Sequence, residues 1–112
     1  MEASEDDPEC VVEAMFAVLE EWLAERGAIG CPFVVAAGEL GPRNDEVRHL
    51  CSDQKQRVMS ALERRLAATG VEEAPAVAFD VMLLAEGATV LDTVGGETTA
   101  ADRAYRTALR LL

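Results

Sequence analysis

The segment from about Ala74 to Val94 sets the strongest condition on what this chain can become. Val77, Phe79, Val81, Met82, Leu83, Leu84, Ala88, Val90, Leu91 and Val94 fall on almost every side of the helix that so much alanine and leucine favours. A helix that is apolar nearly all round in a small domain has to be covered on two sides. One side can be its own core. In a chain of 112 residues the other points to a partner chain.

The remaining elements follow from periodicity and punctuation. Asp7-Pro8 supplies a cap and a first-turn proline for a helix from about Glu9 to Arg26, with Val12, Met15, Phe16, Leu19, Trp22 and Leu23 at helical spacing and Gly27 as its stop. Gly30-Cys31-Pro32 opens a shorter helix that Leu40-Gly41-Pro42 breaks. Asn44 or Asp45 caps a third helix running to about Thr69, with Val47, Leu50, Cys51, Gln54, Val58, Ala61, Leu62 and Leu66 inward and Gly70 at its end. Gly95-Gly96 ends the apolar helix. Thr98 or Thr99 then caps a last one to Leu112, with Ala101, Ala104, Tyr105 and Ala108 on one side. The expectation is an all-α fold, a single five-helix domain over 9–112, preceded by an acidic leader (residues 1–8) with almost nothing to bury and expected to be disordered.

Charge narrows the function classes. Twenty-one acids against ten bases give a net charge of −11, which repels a phosphate backbone and argues against direct nucleic-acid binding by this chain. Cys10, Cys31 and Cys51 are odd in number and lack ligand spacing, so they read as reduced thiols of a cytoplasmic protein. The uncharged apolar run Ala28–Gly38 contains Pro32 and is too short to span a bilayer, so no membrane partner is expected.

Catalytic chemistry finds little footing. Cys31 sits at a helix N-terminus, where terminal N–H groups favour a thiolate, but a small cap residue buried in a turn is the favoured reading of the same position. His49, the only histidine, falls beside Asp45, Asp53 and Gln56 on a wet face, with no second ligand at helical spacing. Cys31, His49 and Glu39 can be drawn as nucleophile, base and orienter, but nothing in the sequence brings them together. No catalytic residue, metal ligand or cofactor site is assigned, and an enzyme is not expected. Gln54 lies within an apolar stripe, where a buried amide orients a ligand or bonds a backbone carbonyl, unless it sits at the edge of the stripe. Glu86 on the apolar helix is either buried with a partner or lies at a seam.

Several stretches, taken in order, carry a resemblance: the Gly30-Cys31-Pro32-Phe33 turn into a helix ending Glu39-Leu40, then Asp45-Glu46-Val47-Arg48, Gln54-Lys55-Gln56-Arg57 and Leu83-Leu84-Ala85-Glu86-Gly87-Ala88. Together they resemble the C-terminal ligand-binding and dimerisation domain of TetR-family transcriptional regulators, over roughly Glu9 to Leu112. Glu86 stands where such proteins commonly carry aspartate, and the DNA-reading helices that precede this region in the family are not in the sequence. The resemblance implies that the last two helices pair with their symmetry mates in a homodimeric four-helix bundle, with Met82, Leu83, Val90, Leu91, Val94 and Tyr105 at the seam. It also implies a small hydrophobic effector held between the earlier helices by Phe16, Leu19, Leu23, Phe33, Gln54, Val58 and Leu62. The expected function is therefore an effector-binding and dimerisation domain of a TetR-like regulator, without a DNA-reading domain of its own. The alternative is a protein–protein interaction module that dimerises with itself or with full-length relatives.

Overall fold

The computed structural model of the chain describes residues 7–26 and 45–112, which form four helices: α1 (Pro8–Arg26), α2 (Asp45–Ala68), α3 (Ala74–Thr93) and α4 (Ala100–Leu109). No strand occurs among the described residues, as the composition required. They carry four helices, not five, because the short helix expected between Gly30 and Leu40 lies outside them, as do the acidic residues 1–6.

Each helix end has a local cause. Asp7 caps α1: its Oδ1 accepts the Glu9 N–H at 2.9 Å and its carbonyl accepts that of Cys10 at 3.0 Å, while Pro8 has no N–H to satisfy. Gly70 closes α2 at φ +93°, a conformation that costs any residue with a Cβ. Its N–H reaches the Ala67 carbonyl at 3.0 Å and that of Val71 reaches Leu66 at 3.2 Å, so two orphan carbonyls are satisfied together. Past α3 the chain turns at Gly95-Gly96. Gly96 takes φ +69°, and a Cβ on Gly95 would stand 2.7 Å from the Leu91 carbonyl oxygen. Bonds of Arg110, Leu111 and Leu112 to carbonyls three residues back tighten the final turn, so α4 stops at Leu109 rather than continuing to Leu112.

The core forms around α3, which packs on α1, α2 and most extensively α4. Its inner face is Ala74, Ala78, Val81, Ala85 and Ala88, and α4 answers with Ala104 and Ala108. Small residues on both sides let the two backbones approach closely. Val12, Phe16, Leu62 and Leu66 fill the larger spaces from α1 and α2. Thr89, buried on the same helix, donates its hydroxyl to the Ala85 carbonyl at 2.9 Å and so leaves no buried polar atom unpaired. By length and composition alone α3, with a mean hydropathy of 1.6, could pass for a membrane span. Its packing against three other helices accounts for the apolarity of its inner face.

Three side-chain placements differ from the sequence-based reading. The buried face of α2 is Cys51, Leu62 and Leu66, with Lys55 and Met59 half-buried; Val58 and Leu50 are exposed rather than inward, because the apolar stripe is wider than the strip of helix that its neighbours cover. Met82, expected at a partner seam, is 8% exposed and packs in the chain's own core. Tyr105 turns toward α1, its ring 5.9 Å from that of Phe16, and not toward the outer face of α3.

Leu66 is fully buried where α1, α2 and α3 converge. Leu66→Ala is expected to cost about 2–5 kcal/mol in urea unfolding, and Gly70→Ala about 1–2 kcal/mol through its left-handed backbone. A loss under half a kilocalorie at Leu66 would show that the site is not the packed centre described here.

Candidate functional site

The outer face of α3 is the most unusual surface on the described residues. Phe79, Leu83, Val90, Leu91 and Val94 are all at least half exposed, Val94 at 83%, on the helix whose opposite face is the core. Leu83, Gly87, Val90 and Val94 alternate spacings of four and three, the pattern that lets helices pack side by side at a shallow angle. Gly87 sits exposed in the middle of this line, and a Cβ there would meet nothing within 4 Å. Beside it runs a groove of about 250 Å³ between α3 and α4. Gly87, Ala88, Ala100 and Ala104 form its floor, Leu83 and Leu91 its α3 wall, and Arg103 and Thr107 its α4 edge. The Thr107 hydroxyl is tied to the Arg103 carbonyl at 2.9 Å, which leaves the groove largely apolar.

A second cleft, of about 270 Å³, opens on the other side of Leu83, between α2 and α3. Met59, Phe79, Met82 and Leu83 line it with the stems of Lys55 and Glu86, whose ammonium and carboxylate are hydrogen-bonded across the two helices. The pair is partly exposed, so its contribution to stability is small, about 0–1 kcal/mol.

The α1–α4 side has a different character. Phe16 and Tyr105 lie beneath Glu13, Glu20 and Asp102 in a cleft of about 210 Å³, with Asp102 paired to Arg106 at 3.0 Å. Leu23, Ala24, Ala101, Glu20, Asp92 and Thr98 line a neighbouring one of about 380 Å³. The negative field is felt locally. Partial burial, and then Glu13, Glu9, Cys10 and Asp102, push the Tyr105 phenol above its ordinary value. Partial burial, and then Asp7, Glu13 and Glu9, likewise raise the Cys10 thiol.

The described residues among those expected to line an effector cavity are placed as follows. Phe16 and Leu62 share the core, with Leu19 packed on its edge. Phe16 also faces the α4 cleft and Leu23 the cleft beside Asp92. Gln54 is half-buried on α2, Val58 is exposed, and Phe33, like Cys31 and Glu39, lies outside the described residues. His49 is exposed. Of the expected seam residues, Leu83, Val90, Leu91 and Val94 do share one open face, whereas Met82 and Tyr105 do not. Sequence reasoning missed Phe79 and Lys55 as cleft residues, and Gly87, Arg103 and Thr107 beside the groove. A glycine in an otherwise apolar helical stripe was a readable signal for close approach; the direction of Arg103 was not.

An all-helical domain with an alanine-lined core, and an apolar outer face on its penultimate helix, agrees with comparison against known families. The family model described as the transcriptional regulator LmrA/YxaF-like C-terminal domain matches residues 8–107. The chain therefore belongs to this family of TetR-type C-terminal domains. No curated protein and no solved structure matches it.

The carboxylates around Cys10 give a direct test. In a chain carrying Cys31→Ser and Cys51→Ser, iodoacetamide should alkylate Cys10 more slowly at mildly alkaline pH than it alkylates an unstructured cysteine. The midpoint of the pH–rate profile should lie above that of the unstructured cysteine measured alongside. A midpoint at or below that value would contradict the field described here.

Proposed function

We propose that this chain is the effector-sensing and dimerisation domain of a TetR-type regulator, and that it forms a homodimer through the outer face of α3 and the α3–α4 groove. One observation carries the reading: Leu83, Val90, Leu91 and Val94 stand exposed, at coiled-coil spacing around Gly87, on the helix that also forms the core. Leaving that face in water is costly, and a two-fold related copy would offer both ridges and a small-residue hollow to receive them. In such a pair Leu83 and Leu91 of each copy act as knobs, and the Gly87–Ala104 floor of the other as the hole. The excess of acid over base, and with it the electrostatic repulsion from phosphate, makes DNA contact by this chain itself unfavourable. The sensing role accords with the family.

Sedimentation equilibrium tests the homodimer. The unmodified chain should be a dimer at micromolar concentration, burying on the order of 1,200–2,000 Å² in total. Leu91→Glu should weaken association by at least about 2 kcal/mol while helicity is retained, because Leu91 is exposed in the single chain. A monomeric unmodified chain refutes the reading. A dimer indifferent to Leu91→Glu moves the interface elsewhere.

The charge argument has its own severe test in a gel shift at low salt, where electrostatic binding is strongest. Random duplex should run unretarded with micromolar protein, and retardation would overturn the expectation.

A further inference from the structure

An exposed carboxylate stands in the apolar line along the outside of α3. Asp80 extends the alternating spacing of Leu83, Gly87, Val90 and Val94 by a further step of three, and it is exposed. The other two acids of α3 are placed elsewhere: Glu86 is hydrogen-bonded to Lys55, and Asp92 lines the cleft beside Leu23. Helix α3 has no cation of its own. On α4, Arg106 is paired with Asp102, whereas Arg103 is exposed at the edge of the α3–α4 groove. Neither Asp80 nor Arg103 makes a side-chain ion pair among the described residues. A charge drawn into an apolar contact costs free energy unless an opposite charge meets it.

We infer that Asp80 of each copy pairs with Arg103 of the other in the homodimer, and that these reciprocal pairs hold the two α3 helices antiparallel. The pairing rests on the homodimer proposed above and specifies how its helices cross. Parallel helices would set Asp80 against the partner's Asp80, two like charges within an apolar seam. Antiparallel helices crossing at Gly87 bring Asp80 level with the partner's Val94, each seven residues from the crossing, about 10 Å along the axis. At that end of α3 the Gly95-Gly96 turn leads into α4, and Arg103 borders the groove with Leu91 and Ala100. Side chains on a helix lean toward its N-terminus, which carries the Arg103 stem in the same direction. A two-fold axis repeats the contact, so one anion and one cation per chain suffice.

Charge reversal tests the pairing. Asp80→Arg sets two arginines together at both contacts of the homodimer, and Arg103→Asp sets two aspartates together. Each variant alone should dimerise at least roughly tenfold more weakly than the unmodified chain in sedimentation equilibrium at low salt. Mixed in equal amounts, they should associate to within about threefold of the unmodified affinity, because a dimer with one chain of each kind has opposite charges at both contacts. A chain carrying both reversals should likewise dimerise with itself. Arg110→Asp, just beyond the end of α4, should restore nothing when mixed with Asp80→Arg. Both reversed positions are exposed, so neither substitution removes a core residue, and circular dichroism checks that helicity is kept. Variants that dimerise as the unmodified chain does, or a mixture no stronger than its parts, overturn the pairing and leave the homodimer standing. A monomeric unmodified chain removes the homodimer and the pairing with it.

Discussion

The alanine face of α3 is the contact on which the rest of the structure depends. Ala74, Ala78, Ala85 and Ala88 present almost no side chain, so whatever covers them must come close with its backbone. Helix α4 does so with alanines of its own, and α1 and α2 fill the margins with Val12, Phe16, Leu62 and Leu66. Placing the small residues inward leaves the large ones, Phe79, Leu83, Val90 and Leu91, on the outside. The exposed apolar face is therefore the counterpart of the close-packed one, produced by the same twenty-residue helix.

Much of this could be read from the sequence because punctuation and periodicity are local. Asp7-Pro8, Gly70 and Gly95-Gly96 mark chain directions that few other residues adopt, and the helix boundaries fell within a few residues of them. The two-sided apolarity of 74–94 was equally plain. Periodicity does not, however, say which of two apolar faces is inside. Met82 and Leu83 are neighbours, similar in hydrophobicity, and they point in opposite senses because alanines elsewhere on the helix decide which side packs. Nor does periodicity register a pairing across the chain: the Lys55 ammonium reaches a carboxylate thirty-one positions away, and Val58, in register with the apolar stripe of α2, is exposed. Tyr105 lies on the flank of α4 that faces Phe16 of α1, a direction that periodicity alone does not give.

Acid is concentrated on one side of the described residues. Glu9 and Glu13 of α1 and Asp102 of α4 crowd the Tyr105 phenol and raise it, and Glu20 lines the same cleft. The charged side chains that line the clefts on either side of Leu83 are Lys55, Glu86 and Arg103. Asp80 is exposed on α3 one helical turn before Leu83, so the outer face carries an acid beside its apolar residues.

The Gly95-Gly96 turn has a consequence for the order in which the fold assembles. It joins α3 to α4, the helices in most extensive contact, across a short stretch of chain. Closing a short connection gives up little chain entropy, whereas α1 reaches α4 only after most of the sequence has been gathered in. Contacts between near neighbours in sequence form fast, and distant ones wait for them. The α3–α4 hairpin is thus placed to act as the nucleus, with Phe16 locking onto Tyr105 as a late event. In that order, substitutions at Ala88 or Ala104 govern how quickly the domain forms, and substitutions at Phe16 govern how long it lasts, a division that φ-values at these three positions would expose.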